Sequence, residues 1–235
     1  EFRRDAETAR QMQTALLAPP PANPCVEVAV VYQAGLAVGG DLYFLDWRRD
    51  GKLLRGFLFA AMGRGLSRAL YAAAVQVMLR EISDTDLPLP DQLRSLNRLI
   101  RRHFGEGVAA AGLALEIDLD TRELRWVDAG LDRFWLAVGG QSGLVSQTAF
   151  AAAGEQAAQF VTHTLPLAVA DSFYFCTKRA GDLLAGLPNP PLERFPEMVR
   201  RLRALTETVG TEDITALCLQ IRQLPQALPT ASRWP

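Results

Sequence analysis

The sequence predicts an α+β fold in which antiparallel sheets are covered by helices, and three observations carry that reading. Strand-like segments recur in hairpin order, separated by short turns rather than by crossover helices. Two helical patterns stand side by side after a run of strands, whereas a parallel dinucleotide-binding sheet needs strands and helices in alternation. Finally, 235 residues with 49% hydrophobic and 22% charged side chains suffice for one domain with a well-buried core.

The elements follow in order. Residues 4–17 contain strong helix formers and no interior Gly or Pro, and they stop at Pro19-Pro20-Pro21. Ala9, Met12 and Leu16 share a stripe while Arg4, Glu7 and Arg10 are polar. Such a helix either packs on its own core or serves as a dimerising, signal-transmitting helix. At Val26 the period changes to two. Val26, Val28, Val30 and Tyr32 form one strand face, and the runs 42–47 and 53–59 read as a hairpin turning at Asp50-Gly51.

After Gly63-Arg64-Gly65, residues 66–82 carry an alanine-rich helix, and residues 90–103 a second with Leu93, Leu96, Leu99 and Ile100 inward. Strands are expected at 111–118, 123–128 and 134–138 as an antiparallel meander, then at 171–177. A Gly/Pro-rich stretch at 186–191, a helix over 194–208 and a last strand at 214–221 complete the domain. The divisions are a linker or signalling helix over 1–20, the main domain over 21–224, and a loose tail over 225–235. The start at Glu1 fits a fragment of a longer chain.

Composition narrows the function. The net charge of −1 lacks the basic excess of a nucleic-acid binder. No apolar run approaches the length of a membrane span, and the first residues lack the apolar core of a secretory signal, so a cytoplasmic protein is expected. Cys25, Cys176 and Cys218 are widely spaced and read as reduced thiols. With only His103 and His163 beside them, a zinc site would need nearly every candidate ligand at once. A cysteine enzyme built on Cys176 or Cys218 would need a histidine within reach of a thiol, and both lie in apolar strand patterns where burial is usual. The glycines of Gly39-Gly40-Asp41 and Gly63-Arg64-Gly65 suit turns that bring backbone N–H groups to an anion, but no nucleotide-binding fingerprint is present.

The order of the short motifs says more. A Gln-rich helix ending in Leu16-Leu17, then Val38-Gly39-Gly40-Asp41-Leu42-Tyr43, then Phe59 through Leu70, resembles the opening of the SpoIIE-like PPM-type serine/threonine phosphatases. The resemblance continues through Leu96-Asn97-Arg98-Leu99, Asp128-Ala129-Gly130, Ala170-Asp171 leading to Cys176-Thr177, and Thr211-Glu212-Asp213-Ile214-Thr215. It implies a sandwich of two antiparallel β-sheets flanked by helices. It also implies an activity, the removal of phosphate from Ser or Thr of a partner protein such as an anti-sigma-factor antagonist. Two Mg²⁺ or Mn²⁺ ions on a carboxylate cluster would activate the water.

Carried over residue by residue, that pattern is degenerate. Asp41 matches the Gly-Asp carboxylate. Ala60 stands where a metal-binding Asp is expected and Arg64 where the His of the same motif is expected. Lys178 and Arg179 replace the Asp and Gly of a later motif, and Glu212-Asp213 keeps carboxylates in the last. Two divalent ions bring about four positive charges, which a low-dielectric site holds only with several compensating carboxylates. The expectation is therefore a pseudophosphatase without a metal cofactor, acting as an output or adaptor domain in bacterial signalling.

Ala129-Gly130-Leu131 further resembles the C-terminal output domain of RssB-type response regulators. By that likeness the partner is a sigma factor or an anti-sigma-factor antagonist, a receiver or sensor lies upstream, and residues 4–17 are where a homodimer would form. The enzymatic alternative is an active phosphatase holding Mg²⁺ or Mn²⁺ on Asp41, Glu212 and Asp213. Two further readings stay open at the degenerate site. Lys178 either pairs with Asp41, Glu212 or Asp213 in place of a metal or points to solvent. Arg64, Arg68, Lys178 and Arg179 either contact a phosphoryl or acidic group or form a solvated rim.

Overall fold

The computed structural model describes residues 2–17, 20–63, 65–105, 108, 110–131, 133–146, 159–186, 194–207 and 210–225. In chain order these form α1 (Phe2–Leu16), β1 (Val26–Gln33), β2 (Asp41–Arg48), β3 (Leu53–Ala61), α2 (Gly65–Ser83), α3 (Leu89–Phe104), β4 (Ala110–Asp118) and β5 (Glu123–Ala129). They continue with β6 (Arg133–Val138), β7 (Gln141–Ser146), β8 (Thr162–Pro166), β9 (Ser172–Cys176), α4 (Lys178–Ala185), α5 (Phe195–Thr206) and β10 (Ile214–Ile221).

Two five-stranded sheets face each other, ordered β1-β10-β9-β6-β7 and β2-β3-β4-β5-β8, and neighbouring strands pair antiparallel throughout. The helices α2 and α3 cover the second sheet, and α4 and α5 the first. β3 is apolar along almost its whole length rather than alternating, because one face meets the opposing sheet and the other meets α2. Phe134, Phe173 and Phe175 fill the space between the sheets, while Phe57 and Phe59 share the helix-covered face of β3 with Arg55. On α3 the buried Leu89, Leu93, Leu96 and Ile100 recur at helical spacing. The β2–β3 turn sets Arg49, Asp50 and Gly51 at φ of 50°, 53° and 81°, a left-handed run that favours the Gly at its end.

Three features depart from the sequence reading. The run 134–138 does not continue the meander. β6 crosses to the first sheet and pairs with β7 and β9, because Phe134 packs against Phe175 at 5.3 Å. β7 and β8 were not anticipated, the first polar and the second only five residues long. The short α4 was also missed, its eight residues carrying too few turns for a periodic signal.

Most of α1 is exposed, with Met12 at 67%. It is fastened at its C-terminal end: Leu17 is buried, and Gln76 and Arg80 donate to the Leu16 carbonyl at 3.0 and 2.9 Å. Gln13 clamps it further, donating to the Gly39 carbonyl at 2.7 Å and accepting from Gly39 N–H at 2.8 Å and Tyr32 O–H at 3.1 Å. All three cysteines are free, and burial raises the Cys176 thiol and pushes Cys218 up to about 12, opposite to what a nucleophilic thiol needs. No described helix is long and apolar enough to cross a membrane. Residues 226–235 of the expected tail lie outside the described residues.

Candidate functional site

The degenerate motifs converge on one open cavity of about 430 Å³ at the end of the sandwich, lined among others by Asp41, Ala60, Arg68, Lys178, Glu212 and Asp213. Pairing across two strands brings the first two together. Asp41 opens β2 directly opposite Ala60 on β3. Asp213 precedes β10, Lys178 opens α4 just after β9, and Arg68 lies in the first turn of α2. Arg64 lies outside the described residues.

Asp41 is 2% exposed and ties the two sheets together. Its Oδ2 accepts hydrogen bonds from Thr177 Oγ1 at 2.7 Å and Thr215 Oγ1 at 2.9 Å. Thr215 N–H in turn donates to Thr177 Oγ1 at 3.1 Å. Burial pushes the Asp41 carboxyl up to about 6; the two hydroxyls and Arg68 oppose that rise, and the Asp213 charge adds to it.

Asp213 is spent more completely. Its Oδ1 accepts from Gly35 N–H at 2.7 Å, and its Oδ2 accepts from Gly40 N–H at 2.6 Å and from Arg68 Nη2. The same Arg68 nitrogen stands 3.6 Å from Asp41 Oδ1, so one guanidinium bridges both buried carboxylates. Gly40 makes room for it, since a Cβ there would lie 1.8 Å from Arg68 Nε. A fixed cation thus lies between Asp41 and Asp213.

Of the two readings of Lys178, the structure supports the solvent-facing one. Lys178 is exposed and makes no ion pair among the described residues, and the cation on Asp41 and Asp213 is Arg68. Glu212 turns outward to Arg179 Nε at 2.6 Å, both half exposed. Of the three described cations considered for a phosphoryl or acidic group, Arg68 and Arg179 are therefore already paired within the chain. Sequence reasoning missed the bridging role of Arg68 and the hydroxyls of Thr177 and Thr215. The available signal was an Arg one turn into the helix after Gly63-Arg64-Gly65, near a Gly-Gly-Asp turn.

The residues do not fit a pair of divalent cations. Hard cations need several oxygen ligands. Ala60 offers a methyl group and Lys178 an ammonium, while the Asp213 oxygens already hold two amides and a guanidinium. Among the described residues no three Asp, Glu, His or Cys side chains gather as metal ligands, so Asp41, Glu212 and Asp213 do not form one ligand set.

A family model described as Stage II sporulation protein E (SpoIIE) matches residues 57–222. No curated protein matches the chain. Among solved structures, the SiaA-PP2C domain of Pseudomonas aeruginosa superposes with a TM-score of 0.74 at 17% identity, over 94% of this chain and 97% of that one. The RsbU and RsbW domains of a Mycobacterium tuberculosis protein give 0.71 at 20% identity, over 88% of this chain and 62% of that one. The PP2C phosphatase domain of SpoIIE from Bacillus subtilis, with a fragment of its regulatory domain, gives 0.67 at 13% identity, over 84% and 62%. The chain thus spans less than two thirds of two of these structures, and at such identities the likeness is one of fold.

Proposed function

Because the chain belongs to the SpoIIE family of PPM-type phosphatase domains of bacterial signalling, we propose that it is a pseudophosphatase: a domain that has given up metal-dependent catalysis and acts by binding a protein partner. The observation that carries this reading is the Arg68 guanidinium seated between Asp41 and Asp213. In metal-dependent phosphoryl transfer the cations generate the attacking hydroxide and neutralise the charge developing on phosphate. Here Asp41 holds two hydroxyls, Asp213 holds two amides, and both face Arg68, so their hydrogen-bonding capacity serves the scaffold. Their chemistry is that of a structural link between the two sheets.

The partner on this reading belongs to the sigma-factor regulatory pathway, a sigma factor or an anti-sigma-factor antagonist. The Mycobacterium tuberculosis neighbour, with its RsbU and RsbW domains, supports that setting. The domain would work in the cytoplasm as the output of an upstream receiver or sensor, joined through α1, whose exposed length is available for a homodimer.

The test is turnover of p-nitrophenyl phosphate and of a phosphoserine protein with millimolar Mn²⁺ or Mg²⁺. The expected result is a rate indistinguishable from that of the D41N variant. Metal-dependent turnover that D41N abolishes would refute the reading.

A further inference from the structure

A cavity larger than that of the degenerate site lies away from it. It measures about 750 Å³ and is lined by Glu27 and Ala29 from one face of β1, by Val28, Val30 and Tyr32 from the other, by α5, and at one end by Thr14 of α1 and Leu17 just after it. Residues of one strand that point to opposite faces line a single cavity only where it wraps the strand's edge. That edge is free. β1 ends the first sheet, and no described strand pairs with it on the side away from β10. A free edge offers a row of backbone N–H and C=O groups to an added strand.

The walls specify the side chains such a strand would carry. On the face toward the second sheet, Val28, Val30 and Tyr32 with Tyr43 make an apolar wall. On the opposite face, α5 presents Arg200 and Arg203, both exposed and without an acidic partner among the described residues. The one acid in the lining, Glu27, is already paired with Arg222. Side chains three apart on a helix lie about 5–6 Å from each other. Successive same-face residues of a strand lie about 7 Å apart. Acidic residues at alternate positions can therefore each meet one arginine.

We infer that the free edge of β1 is a docking site for an extended partner segment that alternates apolar and acidic residues, adding as a strand to the first sheet with its carboxylates on Arg200 and Arg203. The inference rests on the partner-binding reading and supplies a surface for it. The surface is built from β1, α5 and the C-terminal end of α1 and uses none of the degenerate-site residues.

The experiment titrates the whole chain into a fluorescein-labelled peptide of alternating valine and glutamate, as long as β1, with alternating valine and lysine as control. Fluorescence anisotropy should report binding of the acidic peptide only, weakened at least about tenfold in R200E/R203E, since charge reversal turns two attractions into repulsions. Circular dichroism should show that variant folded, both side chains being exposed. Hydrogen exchange should slow at residues 26–33 on adding the acidic peptide. Equal binding of the two peptides, unchanged affinity in R200E/R203E, or no protection of residues 26–33 would each overturn the inference. So would a dimer seen by light scattering that the double variant dissolves, since a second copy would then be the occupant. Phosphatase turnover is untouched by any of these results, so failure here is separable from failure of the pseudophosphatase reading.

Discussion

Replacing Arg68 by alanine removes, among the described residues, the only cation between two buried carboxylates. Asp41 and Asp213 have side chains 3% and 7% exposed, and Arg68 itself is 27% exposed. Deleting one partner of a fully buried ion pair costs about 3–5 kcal/mol, because the remaining charge stays out of water. The partial exposure of Arg68 and the four hydrogen bonds that the carboxylates keep reduce that figure to about 2–4 kcal/mol. For a domain of this size the loss lowers the melting temperature by about 5–15 °C. Differential scanning calorimetry of R68A measures it directly. The destabilisation should be larger at pH 7.5 than at pH 5, where the Asp41 carboxyl, pushed up to about 6 even with Arg68 present, is protonated. An R68A protein that melts like the parent at pH 7.5 would refute the bridging role.

Other perturbations follow the same physics. Folded Asp41 keeps its proton up to about pH 6 while the unfolded chain releases it near 4, so stability falls by about 3 kcal/mol as pH rises through that window; D41N should flatten this part of the curve, and a parent curve already flat from pH 4 to 6 would contradict it. On the far side of the second sheet, Glu116 accepts from buried Arg55 Nε at 2.9 Å and Nη2 at 2.8 Å, so E116A should cost about 2–4 kcal/mol in urea unfolding; a loss below about 1 kcal/mol would mean that the Ser83 and Thr85 carbonyls suffice for Arg55. Gln13→Ala removes three hydrogen bonds joining α1 to Gly39 and Tyr32 and should speed hydrogen exchange along α1 while the sheets keep their protection; unchanged exchange would place the fastening at Leu17 and the Leu16 carbonyl.

The parts of the fold legible in the sequence were those with a strong local period. β10 was read at its observed bounds, and the β2–β3 hairpin and the α2–α3 pair to within a few residues, because their apolar runs lie between glycine or proline signals. β7 and β8 escaped because Gln141–Ser146 is polar and Thr162–Pro166 is short, both being edge strands that need little burial. The sheet assignment of β6 is a long-range property, decided by Phe134 meeting Phe175, that local pattern does not encode.

At the site, the motif order located Asp41, Ala60, Lys178, Glu212 and Asp213 around one cavity. The identity of the bridging cation was not legible. Lys178 and Arg68 are both plausible by charge, and only the placement of α2 against Gly40 shows which one reaches the acids.

The most direct test of the central claim is calorimetric titration of Mn²⁺ into the parent protein and into R68A at pH 7.5. The account predicts no heat of specific binding in the parent up to millimolar Mn²⁺, and none in R68A either, because Ala60 and Lys178 still leave too few oxygen ligands. Saturable binding by the parent would contradict it, because the carboxylates would then be available to metal with Arg68 in place.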